Sequence, residues 1–473
     1  MLINKNYLTI LGIFILALIV QNISFHKTPI HPKHDDEIAV IETAYNIYKE
    51  EYNPGFFRYP AGHMNILAFL FKVSSLLIDE ITIKDAYRIS WYVSNIIIAF
   101  IPIMVFIVCY LLGNYIIALV GGSLAIFSKI MLQHSQVAIV DVPLSFFCFL
   151  FFTISVFWWK KSKISLNKLI ILSGLIGITI AMKYTGAIIV VSLFFIVKTF
   201  IENNPNFAGT KYFQIAFTLV LGFGLLLFSS ISLAYKEFLL REISGLTTDG
   251  IIEVEYHNLL DKLTYLSLPI GLSFLVLTYL IHKDKITGVE KFISPLYLKS
   301  LIIVFVGFFL FSPFTVLEVK KSFSDFMYEY RHMQIGSAAQ YHHESHEYRF
   351  LVQNLNKFYP LRFYLKLFFS NFGKLGLGMG IIGIFWMLGK GKYIEKTILV
   401  FFLLMLITIC NWQNVAERYT LSILPIFYVQ IPFGIHCISL FFKKIAIPYH
   451  YSFTLLSFLA SIEPILRWIN SIG

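Results

Sequence analysis

The chain is poor in charge. Asp, Glu, Lys and Arg make up 14% of its 473 residues, where about 25% is usual for a soluble domain. That scarcity, with a hydrophobic share of 57%, excludes an ordinary soluble protein, a disordered chain and a nucleic-acid-binding domain. Cysteine is scarce too. Cys109, Cys148, Cys410 and Cys437 all fall inside apolar runs. No pair has metal-ligand spacing, and the pattern predicts buried free thiols rather than a disulfide framework. There is no Gly-rich phosphate loop, dinucleotide fingerprint or nucleophile elbow. Internal repeats, low-complexity tracts and glycine-rich linkers are also missing, so one membrane domain over 1–473 is expected.

Hydrophobic length is what the chain has in abundance. Mean hydropathy is +0.73, with 48 Phe and 27 Tyr. A membrane span needs about 20 apolar residues. Segments of that kind lie near 7–24, 91–112, 114–132, 142–159, 168–182, 185–201, 213–234, 264–281, 297–314, 371–389, 396–411, 419–442 and 447–468. The expected fold is an all-α polytopic membrane protein of about 13 transmembrane helices, with a range of 11–13. The apolar run from Tyr7 to Val20 follows Lys5, as in a signal peptide. No small-residue cleavage site follows it, so it is expected to be a retained first span starting in the cytoplasm.

Loop charge supplies the orientation. Lys160, Lys161, Lys163 and Lys168 follow the fourth span. Lys283, Lys285 and Lys291 follow the eighth, Lys390 and Lys392 the tenth, and Lys443 and Lys444 the twelfth. These loops read as cytoplasmic, which accounts for most of the net charge of +11. Three longer segments, about 25–90, 235–263 and 315–370, then face the other side. Within the first, 39–51 and 61–78 carry apolar residues at i, i+3 and i+4. They are expected to be amphipathic helices on the membrane surface.

The chemistry-bearing residues gather on that second side. His31, His34, Asp35, Asp36 and Glu37 precede the first surface helix. Three consecutive acids suit a helix N-terminus, and Asp36 or Glu37 also suits a base beside a membrane-embedded substrate. Arg58, Tyr59, Pro60 and His63 form a turn into the second surface helix. Such a turn can hold an anion, or its Arg can anchor at lipid headgroups. Asp141, before Pro143, opens the fourth span as either an N-cap or a functional acid. Lys183 and Tyr184 sit between two spans in apolar surroundings, where a Lys can snorkel or serve a site. Arg331, His332, His342, His343, Glu344, His346 and Glu347 crowd the 315–370 segment. His342 and His346 stand at i, i+4, so they are weak metal candidates, and a divalent metal is left open as a cofactor. Glu417, Arg418 and Tyr419 open the twelfth span as an interfacial anchor or as a further cation for a phosphate.

The order of these motifs resembles the GT-C superfamily of polyprenyl-phosphate-sugar-dependent glycosyltransferases. The likeness is nearest to bacterial relatives of protein O-mannosyltransferases and lipid A aminoarabinose transferases. It rests on His34-Asp35-Asp36-Glu37 through Arg58-Tyr59-Pro60-Ala61, and on Ser135 to Leu144 with Asp141-Val142-Pro143-Leu144. Met182-Lys183-Tyr184-Thr185-Gly186, Ser312-Pro313-Phe314, and Arg418-Tyr419 through Leu424-Pro425 extend it over most of the chain. Aminoarabinose transferases typically carry Lys-Pro-Pro where this chain has Tyr59-Pro60-Ala61, so Arg58 stands in for that Lys by hypothesis. The large soluble domains of eukaryotic protein mannosyltransferases and oligosaccharyltransferases have no counterpart here.

The resemblance implies an inverting transferase that moves a sugar from a polyprenyl-phosphate donor to a lipid, glycan or protein acceptor. It implies a bacterial inner membrane, with the active site on the outer face. Asp36 would be the base, Glu37 would orient the acceptor or tune that base, and Asp141 would line the pocket. Arg58, Lys183 and Arg418 would hold the donor phosphate. Asp35, Tyr59, His63, Tyr184 and Tyr419 would complete the substrate pocket. The partners implied are the donor, the acceptor and membrane lipids, with no nucleic acid. A transporter or flippase of lipid-linked glycans, a glycan ligase or polymerase, and an inactive scaffold are the alternatives. Rim-located charges favour the enzyme over the transporter, whose charges gather at the midplane.

Overall fold

The computed structural model describes residues 2–25, 35–50, 52–77, 80–161, 164–234, 250–286, 289–335, 358–445 and 447–472, and every regular element among them is helical. The helices in chain order begin with α1 (Leu2–Phe25), α2 (Asp35–Tyr48), α3 (Gly62–Ser74), α4 (Ile83–Leu112), α5 (Tyr115–Ile126) and α6 (Lys129–His134). They continue with α7 (Asp141–Lys161), α8 (Leu166–Met182), α9 (Val190–Asn203), α10 (Lys211–Ala234), α11 (Gly250–His282) and α12 (Pro295–Phe311). The last are α13 (Pro313–Leu317), α14 (Val319–Ile335), α15 (Tyr359–Lys390), α16 (Tyr393–Cys410), α17 (Leu424–Lys444) and α18 (Tyr449–Ile472). Two short 3₁₀ turns matter for the site, Tyr184–Ile189 and Glu417–Thr420.

Nine of the helices described are long and apolar enough to cross a membrane, and four shorter apolar ones accompany them. The chain is an integral membrane protein. Each apolar segment marked in the sequence corresponds to one of these helices, with shifted ends. The segment near 114–132 is a shorter helix than its hydropathy suggests. α5 stops at Ile126, and Ser128 caps a separate turn, α6, by accepting from Met131 N. The segment near 371–389 belongs to a longer helix, and the break that defines it is Gly373, at φ +70°. Glu463 of α18 accepts from Lys374 N at that break, 3.1 Å away. A carboxylate there caps the N-terminus of the second half of α15.

Capping sets other starts. Thr82 and Asp85 form a reciprocal box at α4, and Asn114 Oδ1 accepts from Ile116 N and Ile117 N at α5. Such partners satisfy amide groups that a helix cannot satisfy itself. Lipid tails are as apolar as leucine, so spans associate through close packing rather than water exclusion. Small residues provide it here. A Cβ on Gly177 of α8 would lie 2.2 Å from Val304 O of α12, and one on Gly383 of α15 would lie 2.0 Å from Gln430 O of α17. The α10–α11 pair is joined by Ser229–Ser267 at 2.6 Å and Thr218–Thr278 at 2.7 Å. Its outer faces expose Val220, Phe223, Leu227, Tyr265 and Leu266.

The two amphipathic helices expected on the surface are α2 and α3. They pack on each other through Val40, Ile41, Ala44, Met64, Leu67 and Phe71, all buried. Trp91, Ala138 and Val140 belong to the same cluster. It is distinct from the main core and lies against one end of the bundle. Cys109 and Cys148 are buried free thiols as expected, while Cys410 and Cys437 are free but only half-buried.

Candidate active site

Six separate stretches meet at that end of the bundle. Asp141 is the first residue of α7 and is buried. Lys183 follows the last residue of the antiparallel neighbour α8, in extended backbone (φ −159°, ψ 140°). Its Nζ donates to Asp141 Oδ1 at 2.8 Å, with both side chains buried. Gly186 N donates to Lys183 O at 2.8 Å, which turns the chain at once into the 3₁₀ segment. Lys183 is therefore held by its neighbours rather than snorkelling.

Arg418 enters from the Glu417–Thr420 turn. Its Nη2 lies 2.7 Å from Asp36 Oδ2, and its Nε lies 3.8 Å from Asp141 Oδ2. Ser145, one turn after Asp141, donates to Leu421 O at 2.7 Å and ties that segment to α7. Two carboxylates from different helices thus share one buried guanidinium. Aromatic rings wall the cluster. Lys183 Nζ lies 4.9 Å from the Tyr419 ring centroid and 5.5 Å from that of Tyr59. Rings at these distances stabilise a desolvated cation. Burial pushes the Tyr59 hydroxyl well above the ordinary tyrosine range, with Glu329 and Asp36 adding to the effect. Burial does the same to Tyr419, against the opposing field of Arg418. Both phenols stay neutral.

Glu37 occupies a different place from its neighbour Asp36, because successive helical residues point in different directions. Its Oε1 accepts from Trp91 Nε1 at 2.6 Å and from Ala138 N at 2.8 Å. Glu37 thereby fastens α2 to α4 and to the loop that leads into Asp141. Asp35 is exposed at the start of α2. The acidic run therefore combines a helix N-terminus, a buried fastening and a site carboxylate.

The 52–61 loop is pinned from two sides. Phe57 N donates to Asp325 Oδ2 at 2.8 Å, Phe57 O accepts from Tyr184 Oη at 3.0 Å, and Ala61 N donates to Ser312 Oγ at 2.7 Å. Gly62 then lets α3 approach α8, since a Cβ there would sit 2.5 Å from Ala181 O. Arg58 stacks over the Tyr328 ring at 4.1 Å and forms no ion pair among the described residues. Tyr184 serves the loop through its hydroxyl, and its ring meets Phe326 edge-on at 5.0 Å. His63 is buried apart from the charges. Neither ring nitrogen has a partner among the described residues, and burial lowers its pKa to about 4.

On α14, where sequence inspection singled out Arg331 and His332, the structure adds Asp325, Glu329 and Met333. Asp325, Glu329, His332 and Met333 fall at i, i+4, i+7 and i+8, one face of a helix. Asp325 holds Phe57 N, His332 Nε2 lies 2.7 Å from Asn414 Nδ2, and Met333 Sδ accepts from Tyr419 Oη at 3.4 Å. Glu329 lies between these contacts. Burial raises its pKa, Lys183 opposes that, Asp36 adds to it, and Arg418 and Arg58 lower it. Burial lowers the His332 pKa, with Asp36 opposing. The helical spacing of 325, 329 and 333 was visible, but nothing local marked that face as pointing at Asp36. His342 and His346 lie outside the described residues. Among those described, no group of three His, Cys, Asp or Glu side chains is placed to hold a metal.

No family model matches the sequence, and no match was found among curated proteins. Solved structures do resemble the fold. An apo oligosaccharyltransferase from Archaeoglobus fulgidus superposes with a TM-score of 0.48 at 12% identity, covering 98% of this chain and 56% of that one. The same archaeal enzyme in complex with an inhibitory peptide and a dolichol-phosphate gives the same figures. ArnT from Cupriavidus metallidurans bound to undecaprenyl phosphate gives a TM-score of 0.49 at 9% identity, covering 99% of this chain and 71% of that one. The chain thus spans a little over half the length of the archaeal enzyme. Both neighbours are glycosyltransferases of the GT-C group. At TM-scores below 0.5 these likenesses assign neither family nor activity to this chain.

Proposed function

We propose that the chain is a single-domain, integral-membrane glycosyltransferase. It takes a sugar from a polyprenyl-phosphate donor and passes it to an acceptor hydroxyl on the non-cytoplasmic face of a bacterial inner membrane, with its N-terminus cytoplasmic. The observation that carries this reading is the meeting of the half-buried Asp36 with the buried Asp141, Lys183 and Arg418 at the ends of the spans. Carboxylates for proton transfer and cations for a leaving phosphate are the groups this displacement needs. A donor that arrives through the bilayer requires no nucleotide-binding loop.

Asp36 accepts the acceptor hydroxyl proton as its oxygen bonds to the anomeric carbon. The bond from that carbon to the phosphate oxygen breaks, its electron pair stays with phosphate, and the configuration inverts. Arg418, Lys183 and Arg58 offset the charge that grows on the phosphate. Tyr59 and Tyr419 exclude water and line the sugar subsite with Asp141. Glu37 keeps Asp36 in register with Asp141 through Trp91 and Ala138.

The test is transfer of label from a panel of radiolabelled polyprenyl-phosphate sugars to crude envelope acceptors by purified protein in lipid. Wild type transferring and Asp36→Asn failing supports the reading. Translocation of a lipid-linked sugar with no product formed overturns it in favour of a transporter.

A further inference from the structure

Glu329 is a carboxylate beside the cluster that the transfer chemistry above does not use. It sits on α14 between two anchored positions: Asp325, one turn earlier, holds the 52–61 loop, and Met333, one turn later, touches Tyr419. Its side chain therefore faces the same space as Asp36, Lys183 and Arg418. Asp141 is engaged by Lys183 and Arg418, and Asp36 by Arg418. No hydrogen bond or ion pair within the described residues engages Glu329.

Charge arithmetic gives that carboxylate a consequence. Lys183, Arg418, Arg58 and Asp36 act on Glu329, and Asp141 joins them through its pairs with Lys183 and Arg418, so three cations stand against three carboxylates in this set. With Glu329 ionised the set is neutral and has no net attraction for an anion. With Glu329 protonated it carries one positive charge, and its carboxyl becomes a donor. A buried acid can be kept neutral in this way so that it donates.

We propose that Glu329 binds the donor phosphate in its protonated form, taking up a proton as the anion enters and donating it as a hydrogen bond to a phosphate oxygen beside Lys183 and Arg418. The proposal rests on the lipid-phosphate donor proposed above and names the group that couples its binding to pH. The groups facing Glu329 are Asp36 of α2, Arg58 and Tyr59 of the loop, Lys183 after α8, and Arg418 of the 3₁₀ turn. His332 lies one turn along α14. Burial already raises the Glu329 pKa, with the three cations opposing. An entering anion opposes those cations and raises it further. By linkage, a site that takes up a proton on binding loses affinity as pH rises, approaching tenfold per unit above the free-state pKa.

The experiment is calorimetric titration of the full-length protein in nanodiscs with a polyprenyl methyl phosphodiester, from pH 5.5 to 8.5. That probe carries one charge throughout, so the ligand adds no titration of its own. Buffers of different ionisation enthalpy read proton uptake directly. Expected are uptake of up to one proton and weakening affinity with rising pH in the wild type, a flat profile with no uptake in E329Q, and retained uptake in E329D. Wild-type binding without proton uptake overturns the proposal even where E329Q does not fold. An unchanged pH profile in folded E329Q overturns it and leaves the donor reading intact. Wild-type protein that binds the phosphodiester at no pH overturns both.

Discussion

Asp36 and Asp141, on helices more than a hundred residues apart, flank a single guanidinium. Arg418 Nη2 is 2.7 Å from Asp36 and its Nε is 3.8 Å from Asp141. In the proposed reaction a donor phosphate that engages Arg418 competes with Asp36 for it, so donor entry would loosen the contact that holds the proposed base. Removing the guanidinium takes a cation from Asp36 and leaves Asp141 its Lys183 pair. Arg418→Ala is expected to lower stability by about 3–5 kcal/mol, the usual cost of breaking a buried pair. It should also reduce transfer by about 10²–10³. Arg418→Lys keeps the charge and loses the planar fork, so it recovers stability better than rate. Thermal melts alongside the transfer assay separate the two effects.

Lys183 and Asp141 form the second buried pair, at 2.8 Å. Lys183→Met leaves Asp141 with the longer Arg418 contact, Asp141→Asn leaves Lys183 without its carboxylate, and each should cost roughly 3 kcal/mol. The double variant should cost less than the sum of the singles, with a coupling energy of about 0.5–3 kcal/mol. A double-mutant cycle on thermal unfolding measures it. Additive costs would mean that the neighbouring Tyr59 and Tyr419 rings, rather than Asp141, hold the lysine.

Glu37 accepts from Trp91 Nε1 and from Ala138 N with the same oxygen. Glu37→Gln keeps an acceptor there and should retain most transfer activity. Glu37→Ala orphans two buried donors, each costing about 1–3 kcal/mol. Its effect on kcat should follow its effect on the Tm. A Glu37→Gln enzyme that folds normally and loses all activity would instead place Glu37 in direct contact with the reacting groups.

His63 supplies a pH dependence of stability. Burial lowers its pKa to about 4 from 6.5. The unfolded chain therefore binds more protons than the folded one between these values, and stability rises with pH across that window. The stabilisation is fully present above about pH 6.5 and lost as pH falls toward 4. The difference is worth about 3 kcal/mol. His63→Leu should flatten this part of the profile in melts recorded between pH 4 and pH 7. An unchanged profile would assign the acid sensitivity to other groups.

Gly373 holds the break in α15 at φ +70°, and a Cβ there would meet the Glu463 carboxylate at 1.9 Å. Gly373→Ala should cost about 1–2 kcal/mol from backbone handedness alone, with more where Glu463 is displaced from Lys374 N. Comparing its melt with that of Glu463→Gln, which keeps the acceptor, separates strain from lost capping.

Much was legible locally. Spans, their approximate ends and the amphipathic character of α2 and α3 follow from hydropathy and spacing, because the bilayer imposes a length and a polarity on each segment. Asp36, Asp141, Lys183 and Arg418 were visible as ionisable groups at span ends, where charge is costly unless it is used or paired. Their partners were not visible. Whether Asp36 or Glu37 faces the cations depends on how α2 rolls against α4, and the Trp91 and Ala138 contacts decide that. Glu329 looked like any acid on an amphipathic helix. Only the packing of α14 beneath the Tyr59 loop turns its face toward Asp36. The sequence by itself determined the helices, their membrane length and the supply of charge at one end of the bundle, since these depend on residue type and period alone. The tertiary structure decided which charges pair and which carboxylate has no ion-pair partner among the described residues. Those outcomes depend on distances between segments that the chain keeps far apart.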